Sequence, residues 1–449
     1  MKKTLLLSAF LAVSGAMNAQ WVPQDTNFFN ESEGVQDFQV LSPTVVWALG
    51  YDGSVAEQNY QEFTRTADGG TNWTPGSVPL GNSALNMTNI SAVSATTAWV
   101  GAVTEDGGGG VWKTTDGGVI WTQQNSTAYT TPVDSFFNVV HFFDANTGIT
   151  QGDPINGAFE LYRTTNGGTT WTAVSSPAPA AAEYGYNGGN VAAGNSFWFV
   201  TNQGKLYRTT DTGLTWTKLT TPITDFGSAS ASGRLYFSDN NNGIIIGTVG
   251  TTSTLYKTSN GGSTWTNAGT YTAPYSSMSY VPGTTTLVGT GRTGAGTAAS
   301  PYVFYSGYSN DNASTWTVIE STTQGSANVQ QKTGVAFANL TTGWAGGFTN
   351  ANLEGGIYKF TGTLGINDVT ANKAKVSVYP NPANDVVNIK GSGISKVVAF
   401  DILGKQVVSQ EFSAQEEVSV NVSSLRTGMY VLQVTNDLGA TETIKFAKK

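Results

Sequence analysis

Apolar residues run along most of this chain in short bursts, each closed by a polar, glycine-containing turn, and the bursts come in sets of four. Residues 138–171 show the pattern clearly. Val139–Phe143 reads as a first strand, a turn with Gly148 leads into a second, Phe159–Arg163 makes a third, and a Gly-rich hairpin leads to a fourth at Trp171. The first turn recurs as FSDNNNG (237–243) and FANLTTG (337–343), and the second strand as VVWALG, TAWVGAV, NGIIIG and GWAGG. Second strands centred on Trp47, Trp99, Ile149, Trp198, Ile245, Leu287 and Trp344 predict seven units.

The hairpin between third and fourth strands repeats almost word for word: RTADGGTNWT, KTTDGGVIWT, RTTNGGTTWT, RTTDTGLTWT, KTSNGGSTWT and a worn YSNDNASTWT. Its closing tryptophans, Trp73, Trp121, Trp171, Trp216, Trp265 and Trp316, are 48, 50, 45, 49 and 51 residues apart. Strand-rich units with a period of roughly 40–50 residues make propeller blades. The expected fold is therefore all-β: a seven-bladed β-propeller over residues 20–362, followed by a small Ig-like β-sandwich. The seventh unit stops at GGIYKFTG without a fourth strand, and Trp21 precedes Trp73 by one further period. Residues 20–23 are thus expected to supply the outer strand of the last blade and close the ring, hiding its edges.

The hairpin phrase matches the Asp-box, and the whole unit resembles sialidase-like (BNR-type) propellers and the photosystem II assembly-factor type of repeat. Asp68, Asp116, Asn166, Asp211, Asn260 and Asp311 share one position, where a side-chain oxygen can accept backbone N–H bonds inside the turn. Asn in two copies says that the hydrogen bond matters and the charge does not. A glycine two positions on supplies a positive φ, except that Ala313 stands there in the sixth copy, where a distorted hairpin is expected. The box tryptophans are expected to pack between blades. A feature present in nearly every blade supports the ring; a ligand site must come from what differs.

Charge and composition narrow the rest. Residues 20–365 carry 22 Asp/Glu and 11 Lys/Arg, a net of −11; the first 19 add +2 and residues from 366 onward +1, giving −8 for the chain. Such a body disfavours nucleic acid and anionic sugars as partners. With no Cys, disulfides and thiolate chemistry are excluded. The start, MKKTLLLSAFLAVSGAMNAQ, reads as a signal peptide cut after Ala19, with Ala16 as the second choice, and no later run is long enough for a transmembrane segment.

After a linker at 363–375 the texture changes: Trp vanishes and short alternating strands follow. Residues 376–449 closely resemble the type A C-terminal sorting domain of the type IX secretion system. The resemblance rests on Tyr379-Pro380-Asn381-Pro382-Ala383, Asp401 with Gly404-Lys405, Leu425 with Gly428-Met429-Tyr430, and Lys445 with Lys448-Lys449. It implies periplasmic transit, the type IX machinery as a partner, and a mature protein released or held at the outer cell surface.

Enzyme chemistry finds little support. Sialidases converge three arginines on a carboxylate, but Arg65, Arg163 and Arg208 belong to boxes, leaving Arg234 and Arg292. Xyloglucanase-like enzymes use a cleft between two propellers, and sortilin-type receptors have ten blades. The assembly-factor relatives act through a basic patch absent here. His141 lies in a hydrophobic run and reads as a packed side chain, and the residue pattern contains no metal site. What remains is the non-repeating loops on the face opposite the boxes: Glu57, Tyr60, Glu105, Asp106, Asp134, Asp153, Tyr184, Tyr186, Asp225, Tyr271, Tyr275 and Arg292. Asp153, in a sequence unique to its blade, leads this set; Glu57, Glu105, Asp106, Tyr184, Tyr186 and Arg292 complete the candidate ligand site. The expected role is binding or scaffolding of an extracellular protein or glycan, with no cofactor unless calcium bridges those carboxylates. The alternative is a carbohydrate-active hydrolase or lyase pairing Asp153 with Glu105 or Asp106.

Overall fold

The computed structural model describes residues 20–54, 58–124, 129, 135–326, 329–365, 376–401, 405–436 and 441–449. The expected signal peptide, most of the expected linker, Glu57, Asp134 and Gly404 lie outside the described residues. Two compact units divide between Leu364 and Gly365.

The first unit is a ring of seven four-stranded antiparallel blades. In blade 1 the order is Glu33–Val40, Val46–Asp52, Glu62–Thr66 and Thr74–Ser77. The first strands of blades 2 to 7 are Asn86–Ala92, Phe137–Phe142, Gly185–Ala193, Ala231–Phe237, Tyr275–Tyr280 and Val335–Asn339. Second strands are buried on both faces, as Ala98–Val103 and Ser196–Thr201 are throughout, which is why they read as unbroken apolar runs. Trp21–Asp25 pairs antiparallel with Gly355–Phe360, Trp21 opposite Phe360, so the N-terminal strand completes blade 7 as its sequence spacing required. Trp21 is fully buried there, its indole N–H donating to Ser306 Oγ of blade 6 at 2.9 Å.

Each box closes on itself in the same way. The Asp or Asn Oδ1 accepts from the Thr or Ser hydroxyl two residues before it and from the backbone N–H four residues after it. Asn166 and Asn260 reproduce the geometry of the aspartates, which confirms that charge is dispensable. The sixth hairpin is not distorted, contrary to expectation: Ala313 takes φ 64° and its N–H reaches Ser309 Oγ at 2.9 Å, matching the glycine copies. A methyl group is small enough to accept the left-handed conformation for about 1–2 kcal/mol.

One regularity carries more weight than its spelling suggested. The Lys or Arg that opens each of the first five boxes, and Lys359 at the matching position of blade 7, reaches across to the next blade and donates to a backbone carbonyl there. Arg65 binds Gly117 O (2.7 Å), Lys113 binds Gly167 O (2.9 Å), Arg163 binds Thr212 O (2.8 Å), Lys257 binds Asp311 O (2.8 Å) and Lys359 binds Gly69 O (2.6 Å). Arg208 binds the Asn240 carbonyl of blade 5's first turn at 2.9 Å. Several of these cations also cover second-strand tryptophans, with Lys113 4.9 Å from the Trp99 ring. Only the junction from blade 6 to blade 7 lacks the bridge, because Tyr308 replaces the cation and blade 7 has no box. Trp73 and Trp121 are buried between blades, whereas Trp171, Trp216, Trp265 and Trp316 are half-buried; the deeper anchors are Trp47, Trp99, Trp198 and Trp344, all fully buried.

The second unit is one five-stranded sheet folded over on itself into a nearly closed sandwich. Val386–Phe400 and Gln406–Asn421 form a long bent hairpin whose two ends serve the two layers. The core holds Ile389, Val397, Val420, Leu432 and Phe446. Several of the residues that carried the sorting-domain resemblance meet the C-terminal strand, Thr441–Lys448. Asn381 Oδ1 accepts from Ala447 N–H at 2.9 Å, the Ala383 carbonyl accepts from Lys449 N–H, and Gly428 pairs with Lys448. Tyr430 donates back to Arg426 O at 2.9 Å, while Pro380 and Pro382 flank Asn381 and Lys445 O accepts from its amide.

Candidate functional site

The boxes and the first turns share one face of the ring, since Gly69, Gly117, Gly167 and Gly261 each donate to the first turn of their own blade. On that face the box Asp and Asn side chains and the box-opening cations are already bonded. Asp68 is held down to about 2, chiefly by the Asn72 N–H and then by the Asn72 amide and the Thr66 hydroxyl. The Oδ1 of each box Asp or Asn is thus engaged within its own hairpin.

The opposite face is built differently. Loops between second and third strands and between blades open there, around a channel walled by first strands. At its mouth a cavity of about 410 Å³ is lined by Gln36, Tyr51, Asp52, Gln58, Asn59, Tyr60, Asn86, Ser277 and Thr333. Asp52 is fixed as an acceptor by the N–H groups of Ser54 (2.8 Å) and Gln58 (2.9 Å), which hold its carboxyl below the usual range along with the Ser54 hydroxyl, the largest contribution. Further in, a space of about 560 Å³ shares Ser277 with the mouth and adds Asp37, Asn190, Arg234, Tyr236 and Ser279. A third, of about 510 Å³, shares Asp37 and Asn190 and reaches Asn89 and His141. His141 packs against Phe143 and Phe197, and burial pushes its imidazole down to about 4, so it is neutral at physiological pH.

The residues singled out from sequence are scattered over this face. Asp153 clasps two blades: its Oδ1 accepts from the Asn138 amide (2.7 Å) and from Gly185 N–H of blade 4 (2.9 Å), and burial raises its pKa. Glu105 and Asp106 are exposed on the blade 2 loop and make no hydrogen bond or ion pair with Asp153 among the described residues. Tyr184 and Tyr186 do meet, edge to face at 5.4 Å; Tyr184 is exposed, and Tyr186 donates to Asp225 at 2.7 Å. Arg292 lies exposed over the Tyr302 ring at 4.3 Å. Tyr271 and Tyr275 turn inward and join the core between blades 5 and 6 instead of facing solvent. Among the described residues of the named set, Tyr60 lines the mouth. Among the described residues no group of three or more His, Asp or Glu is placed to hold a metal ion.

Two features escaped sequence reading. Glu33, fully buried, faces Glu62 across Asn30, whose amide donates to both carboxyls; burial, then Glu62, pushes Glu33 up to about 8. The other is Arg234, exposed to the channel. Neither sits in a repeated motif; Glu33 meets Glu62 through the folding of blade 1, and Arg234 stood out in the sequence only as an arginine outside the boxes, its channel-facing position on a first strand being what could have flagged it.

Residues 377–449 match the family of secretion system C-terminal sorting domains. The chain is a β-propeller carrying a type IX sorting tail. Within the propeller, residues 159–284 match the family described as sortilin, neurotensin receptor 3, a stretch running from blade 3 into blade 6. The chain is 35% identical over 71 residues to β-agarase D of Zobellia galactanivorans, covering 16% of this chain, and spans only 14% of the length of that relative. YCF48 from Cyanidioschyzon merolae superposes with a TM-score of 0.50 at 15% identity, over 76% of this chain and 98% of that one. A GH74 xyloglucanase from Xanthomonas campestris gives 0.49 at 11%, over 83% and 59%. At these identities the likeness is one of propeller fold.

Proposed function

We propose that the sorting tail delivers this propeller out of the cell, released or attached to the outer surface after removal of the N-terminal signal, and that the propeller is a binding module. Its ligand, an extracellular polar molecule of glycan type, would enter at the box-distal mouth. The observation that carries this reading is the mouth lining: two tyrosines, four side-chain amides, two hydroxyls and one immobilised carboxylate in one cavity. Tyrosine rings offer an apolar face with a polar edge, and amides both donate and accept, a set suited to the hydroxyls and C–H faces of a sugar. Hydrolysis draws less support, since Asp153 is bonded to Asn138 and Gly185 and has no hydrogen bond to Glu105 or Asp106 among the described residues.

The test is a glycan array probed with the secreted protein, followed by titration of the best hit. Tyr60→Ala should weaken that binding at least tenfold while the melting temperature stays put. Unchanged affinity would remove the mouth as the site, and release of shortened saccharides would replace binding by hydrolase or lyase activity.

A further inference from the structure

The propeller has eleven basic residues, and ten of them are engaged within it. Six bridge from blade to blade through carbonyls on the box face. Lys218 pairs with Glu183 at 2.7 Å, and Lys332 pairs with Glu320 at 2.9 Å. Lys205 reaches the Thr220 hydroxyl at 3.4 Å, and Arg292 lies over Tyr302. Arg234 is the eleventh. It stands on the first strand of blade 5, exposed in the channel, and among the described residues its side chain has neither an ion pair nor a hydrogen bond. It lines the inner space together with Tyr236 of its own blade and Ser277 and Ser279 of blade 6.

We infer that Arg234 is an anion-recognition group, taking the carboxylate of an acidic sugar whose neutral part occupies the mouth; this rests on the mouth being a binding site. A guanidinium presents its donors in a planar fork that fits a carboxylate with two parallel hydrogen bonds. Around it, Ser277, Ser279, Asn190 and Tyr236 line the same space and supply hydroxyl and amide partners for the rest of a sugar ring. Ser277 belongs to both spaces, so a ligand seated on the tyrosines can extend one residue inward to Arg234. Asp37 is the carboxylate lining that same inner space, and it is tied to Ile90 N–H at 2.9 Å. The net charge of −11 over residues 20–365 argued against anionic sugars, but it is a sum over the whole propeller; in the inner space the charged lining is Arg234, whose side chain has no ion pair among the described residues, and Asp37, which accepts from Ile90 N–H.

The experiment titrates the whole protein with glucuronate, with glucose, and with tetraglycine bearing a free C-terminal carboxylate, by chemical-shift perturbation or calorimetry. Glucuronate should bind more tightly than glucose, Arg234→Gln should weaken glucuronate at least tenfold and leave glucose unchanged, and raised salt should act on the parent alone. Arg234→Lys, which keeps the charge and loses the fork, should fall between. Because Arg234 holds nothing in place, the variants should melt like the parent. Equal affinities of parent and Arg234→Gln for glucuronate would overturn the inference, as would no preference for glucuronate over glucose. Tighter, Arg234-dependent binding of tetraglycine would overturn the sugar assignment. Loss of glucose binding in Tyr60→Ala with glucuronate indifferent to Arg234 would sink this inference alone; the reverse pattern would sink the mouth and leave Arg234 standing.

Discussion

The two faces of the ring use the same kinds of residue to opposite ends. On the box face every cation has a carbonyl and every box carboxylate or amide has a hydroxyl and an N–H, and the arrangement repeats around the ring. On the other face unrepeated residues gather: amides and tyrosines at the channel mouth and, further in, Arg234, whose side chain has no ion pair among the described residues. The difference teaches that a repeated polar group in a propeller is bonded because it repeats, each blade offering the next the same carbonyl. A group occurring once has no such partner supplied by symmetry, and is left for a ligand or paired by accident of its neighbours.

That contrast can be broken first at a tryptophan. Trp198 is fully buried, stacks on Phe237 at 4.0 Å and donates to Gly261 O of the next blade. Trp198→Ala should destabilise the propeller by about 3–5 kcal/mol through the cavity it leaves, measured by denaturant unfolding, and should change ligand affinity only through loss of folded protein. A variant as stable as the parent would mean that blades are held by something other than these anchors.

A smaller, pH-dependent effect sharpens the comparison on the distal face. Glu33 is protonated in the folded protein up to about 8, while its unfolded counterpart ionises near 4.5. The folded state therefore binds the extra proton between those values, and stability should fall as pH rises through that window. Glu62 faces Glu33 directly, with Asp52 opposite it in the strand pair and Tyr60 nearby. Glu33→Gln keeps the shape and removes the titration, so its melting temperature should exceed the parent's at pH 8 and approach it at pH 5. Parallel pH profiles would rule out the buried carboxyl as their cause.

Seven blades, their strand order and the closing N-terminal strand were legible in the sequence because each rests on local periodicity: apolar second strands, box hairpins, and a tryptophan one period upstream. The sorting tail was legible for the same reason, as ordered short motifs. The box-opening Lys and Arg were visible as a repeat, but their reach into the next blade needed the ring. The candidate site was read only in part. The box-distal face was chosen from what varies between blades, and of the residues named there Tyr271 and Tyr275 are core, because alternation in an irregular first strand does not say which face is covered. Gln36, Asn86, Ser277 and Thr333 are unremarkable in sequence and meet only because blades 1, 2, 6 and 7 adjoin around the channel.

The central claim, that repeated residues build the ring and unrepeated ones bind, is tested most directly by crossing two readouts on two variants. Arg163→Gln should lower stability by about 1 kcal/mol, the scale of one buried hydrogen bond, and leave affinity for the array hit untouched. Tyr60→Ala should do the converse, losing at least tenfold in affinity at unchanged melting temperature. If instead Arg163→Gln weakens binding in the folded protein, or Tyr60→Ala costs stability and spares binding, the division between the two faces is contradicted.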